Sequence, residues 1–147
     1  MPASIQIQLD QLSASATGAT IRDHRLQIDR PESKGGNNSG PMGGELFLAA
    51  VGGCFMSNLL AAIQSRNAQI TEVHTTVVGT LEESPARFSA IELQVQAQCP
   101  DPQLFEKLVE IAERGCIMVN TLRSYDCTLR IKTGPALDRS SGVARLY

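Results

Sequence analysis

Four side chains of this 147-residue sequence could do redox or nucleophilic chemistry: the thiols of Cys54, Cys99, Cys116 and Cys127. A thiol acts as nucleophile, metal ligand or redox group, or else packs as a small hydrophobe. Cys99 ends the alternation Ile91, Leu93, Val95, Ala97, and Cys127 falls in the alternation Tyr125, Cys127, Leu129, Ile131. Both therefore sit on the apolar faces of predicted strands, where packing is the expected role. Cys54 and Cys116 differ, because each directly follows a glycine, where a helix can bend or end and backbone can approach closely. Periodicity alone leaves Cys54 undecided between core and chemistry. No two cysteines form CxxC, and His24 and His74 stand at no ligand spacing from a cysteine, so no metal is expected. There is no GxSxG elbow and nothing in the sequence requires either histidine to meet a cysteine, so a Cys-His hydrolase is unsupported. "GGNNSGP" lacks the Lys-Ser/Thr that grips phosphate and reads as a flexible loop, and no cofactor is expected.

The elements that must position these thiols follow from hydrophobic period. "SIQIQLDQL" alternates Ile5, Ile7 and Leu9 with polar residues, and "TIRDHRLQID" puts Leu26 and Ile28 on one face, with "SATG" as the turn between them. Residues 31 to 44, rich in glycine and without apolar period, are predicted as a loop. A long helix is expected from Glu45 to about Arg66, apolar nearly all round and so buried on most sides, in a core or an oligomer interface. "TEVHTTVVGTL" and "IELQVQAQC" then form a second hairpin about Ser84 and Pro85. An amphipathic helix opens on Asp101 as N-cap with Pro102 at its first position, carries Leu104, Leu108 and Ile111 on one face, and stops at Gly115. "YDCTLRIKTG" is predicted as a closing strand. Strands mixed with helices in this order argue an α+β fold.

Length suits one domain, folded over about residues 4 to 133 with a loosely held tail at 134 to 147. A net charge of −2 gives no electrostatic reason to expect nucleic acid or an anionic membrane. The apolar run from Leu46 to Ile63 contains Gly52, Gly53, Ser57 and Asn58 and has no basic flank, so no membrane span is expected. The N-terminus lacks the basic segment and apolar core of a signal peptide, which points to a reducing cytoplasm.

Two motifs carry a family resemblance. "GGNNSGPMGGELFLAAVGGC" resembles the Gly-rich loop, Gly-Pro, glutamate and Leu-Leu-Leu-Ala-Ala-Leu-Gly-Gly-Cys of OsmC and Ohr-like proteins. "CIMVNTL" resembles that family's Cys-Pro-Val-Ser-Asn-Thr-Leu, sharing Cys116, Asn120, Thr121 and Leu122 but with Ile117 for the proline and Val119 for the serine. The resemblance implies the OsmC-like fold as an intertwined homodimer with the long helices at its centre. It also implies a thiol peroxidase acting on organic hydroperoxides, with a thiol or dithiol reductant. Carried over by position, Cys54 would be the peroxidatic thiol, Cys116 the resolving thiol and Glu45 the glutamate that holds an activating arginine. Arg22, Arg25 and Arg30 are candidates for that arginine, and Arg30 lies nearest the Gly-rich loop.

A free thiol near pKa 8.5 is only a few per cent ionised at neutral pH, so something must stabilise the thiolate. Cys54 lies well inside its predicted helix, where the dipole is weak unless Gly52 and Gly53 interrupt it, and an arginine is the expected activator. Nine residues at about 100° each put Glu45 and Cys54 on opposite sides of a straight helix. Glu45 is then either a helix-start residue reaching back to an arginine or a contributor across the dimer. Phe47, Leu48, Val51, Phe55 and Met56 are candidates for an apolar lining that suits an organic hydroperoxide. The competing readings are a redox sensor or apolar-ligand binder of the same fold, and a dimer whose cysteines merely pack.

Overall fold

A computed structural model describes residues 2–136. They divide into two compact units, one of residues 2–43 and 128–136 and the other spanning Gly44–Cys127.

The first unit is a three-stranded antiparallel sheet of β1 (Gln8–Gln11), β2 (Thr17–Ile21) and β3 (His24–Ile28), in that order. The predicted hairpin is therefore a meander: "TIRDHRLQID" folds on itself, with Ile21 opposite His24 and a turn at Arg22, whose φ is 54°. An alternation spanning the turn hides it, because Arg22 and Asp23 are polar at both positions. The first strand is also shorter than its alternation, leaving Ile5 87% exposed ahead of it. After β3 the Gly-rich segment wraps round one carboxylate. Asp29, 2% exposed, accepts from the backbone N–H groups of Arg30 (2.8 Å), Asn37 (3.1 Å) and Ser39 (3.1 Å) and from the Ser39 hydroxyl (2.7 Å). Gly36 packs so close to the Arg30 carbonyl that a Cβ there would overlap the oxygen, so only glycine fits.

The second unit begins with α1 (Gly43–Ser65, all but its first residue), an unbroken helix through Gly52 and Gly53. Its core face is Val51, Gly52, Phe55, Leu59, Ala62 and Ile63. The opposite arc, Ala49, Ala50, Gly53, Ser57, Leu60, Ala61 and Gln64, is exposed in the single chain. By length and composition α1 could cross a membrane, a property it shares with core helices of soluble proteins. The strands β4 (Thr71–Glu83) and β5 (Ala86–Gln98) pair antiparallel around Ser84 and Pro85, as the alternation predicts. Val73, Thr75 and Val77 of β4 and Ile91, Leu93, Val95 and Ala97 of β5 share the half-buried face.

α2 (Pro102–Gly115) starts where predicted, with Asp101 Oδ1 accepting from the Leu104 N–H at 3.2 Å. Its Leu108 and Ala112 join Phe55, Leu59, Ala62 and Ile63 of α1, with Ile70 and Cys116, in one core cluster. Leu59, Leu108 and Cys116 are fully buried, and each leucine contributes on the order of 1.5–3 kcal/mol by leaving water.

Two further features depart from expectation. A short helix, α3 (Ile117–Arg123), follows Cys116 directly, where no element is predicted. The closing strand is absent: Tyr125 to Ile131 is irregular, and Tyr125, Leu129 and Ile131 are 104, 86 and 88% exposed. Alternation supplies two faces, but a strand also needs a ladder partner, and no described residue pairs with this segment. Of the predicted tail, residues 137–147 lie outside the described residues.

Candidate active site

Cys54 and Cys116, sixty-two positions apart in sequence, meet where α1 packs against the junction of α2 and α3. Cys54 is half-buried, on the border between the core face and the exposed arc of α1. Cys116 is fully buried and caps α3 with extended backbone (φ −79°, ψ 115°). The two thiols are in hydrogen-bond contact, and all four cysteines are free.

The corner that presents Cys116 is held by its own backbone and by the Asn-Thr pair downstream. The Cys116 N–H donates to the Glu113 carbonyl at 3.3 Å, and its carbonyl accepts from the Asn120 N–H at 3.0 Å. The Asn120 amide donates to the Arg114 carbonyl at 3.1 Å, satisfying an acceptor at the end of α2. Thr121 Oγ1 donates to the Ile117 carbonyl at 2.7 Å. Ile117 in place of a proline leaves the residue 117 N–H available.

That N–H matters electrostatically. Burial pushes the Cys54 thiol up, but the Met118 N–H, the Cys116 thiol and the Ile117 N–H all favour its thiolate, and the net shift is downward. Cys116 moves the other way: burial raises it, the Val119 and Met118 N–H groups oppose this, and a charged Cys54 beside it raises it further. The groups that favour the Cys54 thiolate thus include the thiol and N–H groups of residues 116 to 118. The start of α1 is eleven residues away, and α1 is not interrupted at Gly52 or Gly53, so its dipole acts weakly here.

Glu45 and Arg30, the other predicted site residues, are each described within their own unit. Glu45 is exposed in the first turn of α1, about 13 Å along the axis from Cys54 and on the opposite side of the helix. Arg30 is an exposed residue of the first unit, its backbone fixed by Asp29 and by the Asn38 N–H, which donates to its carbonyl at 2.9 Å.

A cavity of about 430 Å³ includes Val119, whose N–H acts on Cys116, among its lining residues, but neither thiol. Val51, Phe55, Leu93, Val95, Val109 and Leu122 give it apolar walls, and the Glu113–Arg123 ion pair (2.7 Å) supplies its charge. Of the predicted lining, Val51 and Phe55 face this cavity. Phe47 stacks on Phe88 with ring centroids 5.9 Å apart, and Met56 accepts from Thr75 Oγ1 at 2.9 Å. Among the described residues no three His, Cys, Asp or Glu side chains cluster as metal ligands.

The α3 donors and one further side chain, Asn58, escaped sequence reasoning. Asn58 stands one helical turn after Cys54, and its amide donates to the Cys54 carbonyl at 2.9 Å. Its i,i+4 spacing from Cys54 was the available signal.

An α+β protein with a paired-thiol site is thus defined by fold and geometry together. Residues 36–132 match the family described as OsmC-like protein, and the chain belongs to that family. Among solved structures, an OsmC-like protein from Mycoplasma pneumoniae superposes with a TM-score of 0.73 at 15% identity, covering 85% of this chain and 91% of that one. An organic hydroperoxide resistance protein from Elizabethkingia anophelis gives 0.63 at 21% identity, covering 85% and 93%. The organic hydroperoxide resistance protein OhrB of Bacillus subtilis gives 0.59 at 22%, covering 84% and 93%. Comparison with curated proteins returns no match.

Proposed function

We propose that this protein is a thiol-dependent peroxidase that reduces organic hydroperoxides in defence against oxidative stress. The observation that carries the reading is the contact between Cys54 and Cys116, with the Cys54 pKa lowered and the Cys116 pKa raised. The Cys54 thiolate attacks the terminal oxygen of ROOH, the O–O bond breaks, and RO⁻ leaves to take up a proton as ROH. Cys54 is left as sulfenic acid. The Cys116 thiol then attacks that sulfur, forming the S–S bond and releasing water, and an external thiol or dithiol returns both cysteines to thiols. A buried resolving thiol that keeps its proton until the sulfenic acid forms suits this order.

Relatives named for organic hydroperoxide resistance share the fold and support the substrate class. The apolar cavity suits an organic R group. Arg30 and Glu45 are assigned to activation of Cys54 on the family resemblance, adding to the N–H donors of residues 117 and 118. A homodimer is supported by the exposed arc of α1, where Leu60 is 50% exposed, and free thiols suit a reducing cytoplasm. In the test, an alkyl hydroperoxide is consumed in the presence of a dithiol, and Cys54→Ser abolishes this. Unchanged turnover in that variant sinks the assignment. The cavity, lined by neither sulfur, also favours a second reading, a binder of small apolar ligands whose Cys54 oxidises no faster than a free thiol.

A further inference from the structure

We propose that Asn58 is the positioning residue that holds Cys54 toward Cys116. The inference rests on the peroxidase reading for its purpose, but its geometry stands independently. The Asn58 amide nitrogen spends one N–H on the Cys54 carbonyl at 2.9 Å and lies 4.0 Å from the Cys54 sulfur, at the outer limit for an N–H donor to sulfur. Its amide oxygen faces the other wall of the site: a Cβ on Gly115 would lie 3.0 Å from it. One half-buried side chain is thus wedged between the sulfur on α1 and the backbone immediately before Cys116.

That placement has two physical consequences. A primary amide has two N–H groups, and with one fixed on the carbonyl of the preceding turn the second is directed toward the sulfur. A thiolate accepts from it more strongly than a thiol does, so ionised Cys54 is drawn to this side of α1. The close packing against Gly115 also sets the spacing between α1 and the corner bearing Cys116. A longer spacing slows closure of the disulfide, because a displacement of about 1 Å can cost up to a hundredfold in rate. An unresolved sulfenic acid meets a second ROOH and becomes sulfinic acid, with ROH as the other product.

The experiment compares wild type, Asn58→Ala, Gly115→Ala and the double variant, each checked for unchanged melting by circular dichroism. Closure of the Cys54–Cys116 disulfide is timed with diamide, which needs no peroxidase chemistry, and products after excess alkyl hydroperoxide are read by intact mass. Asn58→Ala is expected to close the disulfide roughly tenfold more slowly, to accumulate sulfinic acid at Cys54, and to move the pH midpoint of Cys54 alkylation upward. Gly115→Ala is expected to slow closure too, and the double variant to be no slower than Asn58→Ala, since removing the amide relieves the contact. Wild-type closure and an unmoved pH midpoint in Asn58→Ala overturn the proposal. A wild type that closes with diamide but not with hydroperoxide defeats the peroxidase reading and leaves Asn58 to be judged on the diamide arm.

Discussion

Cys54 owes its predicted reactivity to peptide N–H groups of another helix, since its own helix places it too far from the N-terminal dipole. The lowered pKa means that the rate of Cys54 alkylation rises with a midpoint below that of a free cysteine, and the raised pKa that Cys116 reacts with a midpoint above it. Alkylation across pH of a variant that keeps both Cys54 and Cys116 but lacks Cys99 and Cys127, with each site read separately by peptide mass spectrometry, checks both signs. If Arg30 also acts on this thiol, Arg30→Ala moves the Cys54 midpoint upward. Asp29 is a second residue whose environment fixes its charge. The Ser39 hydroxyl, opposed by burial and aided by the N–H groups of Ser39 and Arg30, holds its carboxyl well below the usual carboxylate range. A depressed folded-state pKa contributes stability that is complete above the unfolded value near 4 and is lost as pH falls below it. Asp29→Asn is therefore expected to lower the melting temperature by several degrees at pH 7 and to flatten its fall between about pH 4 and pH 2.

At the scale of elements, sequence pattern succeeded wherever one chain supplies the packing that the pattern demands. The β4–β5 pair, its turn and the start of α2 follow from strict alternation, Ser-Pro and Asp-Pro, each a local signal with a local cause. The meander was misread because a polar turn at Arg22 and Asp23 does not break a polar-apolar rhythm. α3 was missed because the residues Ile117, Met118 and Val119 carry no turn or cap signal beyond Cys116 itself. The two cysteines were legible from their motifs, whereas the N–H donors that act on Cys54 depend on that missed helix. Truncating Leu59, fully buried between α1 and α2, is expected to lower unfolding free energy by about 2–5 kcal/mol. Asp101→Ala, which removes only the α2 cap, is expected to cost about 1 kcal/mol. Urea titrations followed by circular dichroism separate the two.

For the whole molecule, the expectation of a helix buried on most sides is met by one chain on one face only. Ala49, Ala50, Gly53, Ser57, Leu60 and Ala61 form an arc wide enough to receive a second helix, and small residues let two backbones approach. Sedimentation is expected to find a dimer, and Ala50→Glu, which buries a charge in that face, to shift it toward monomer. The closing alternation at Tyr125 to Ile131 likewise had a face to bury but no partner among the described residues. The central claim, that Cys54 and Cys116 form one redox pair, is tested most directly by mass spectrometry of non-reduced protein after one equivalent of alkyl hydroperoxide. The account predicts a single Cys54–Cys116 disulfide with Cys99 and Cys127 still reduced. Oxidation scattered over the four cysteines, or confined to the exposed Cys127, contradicts it.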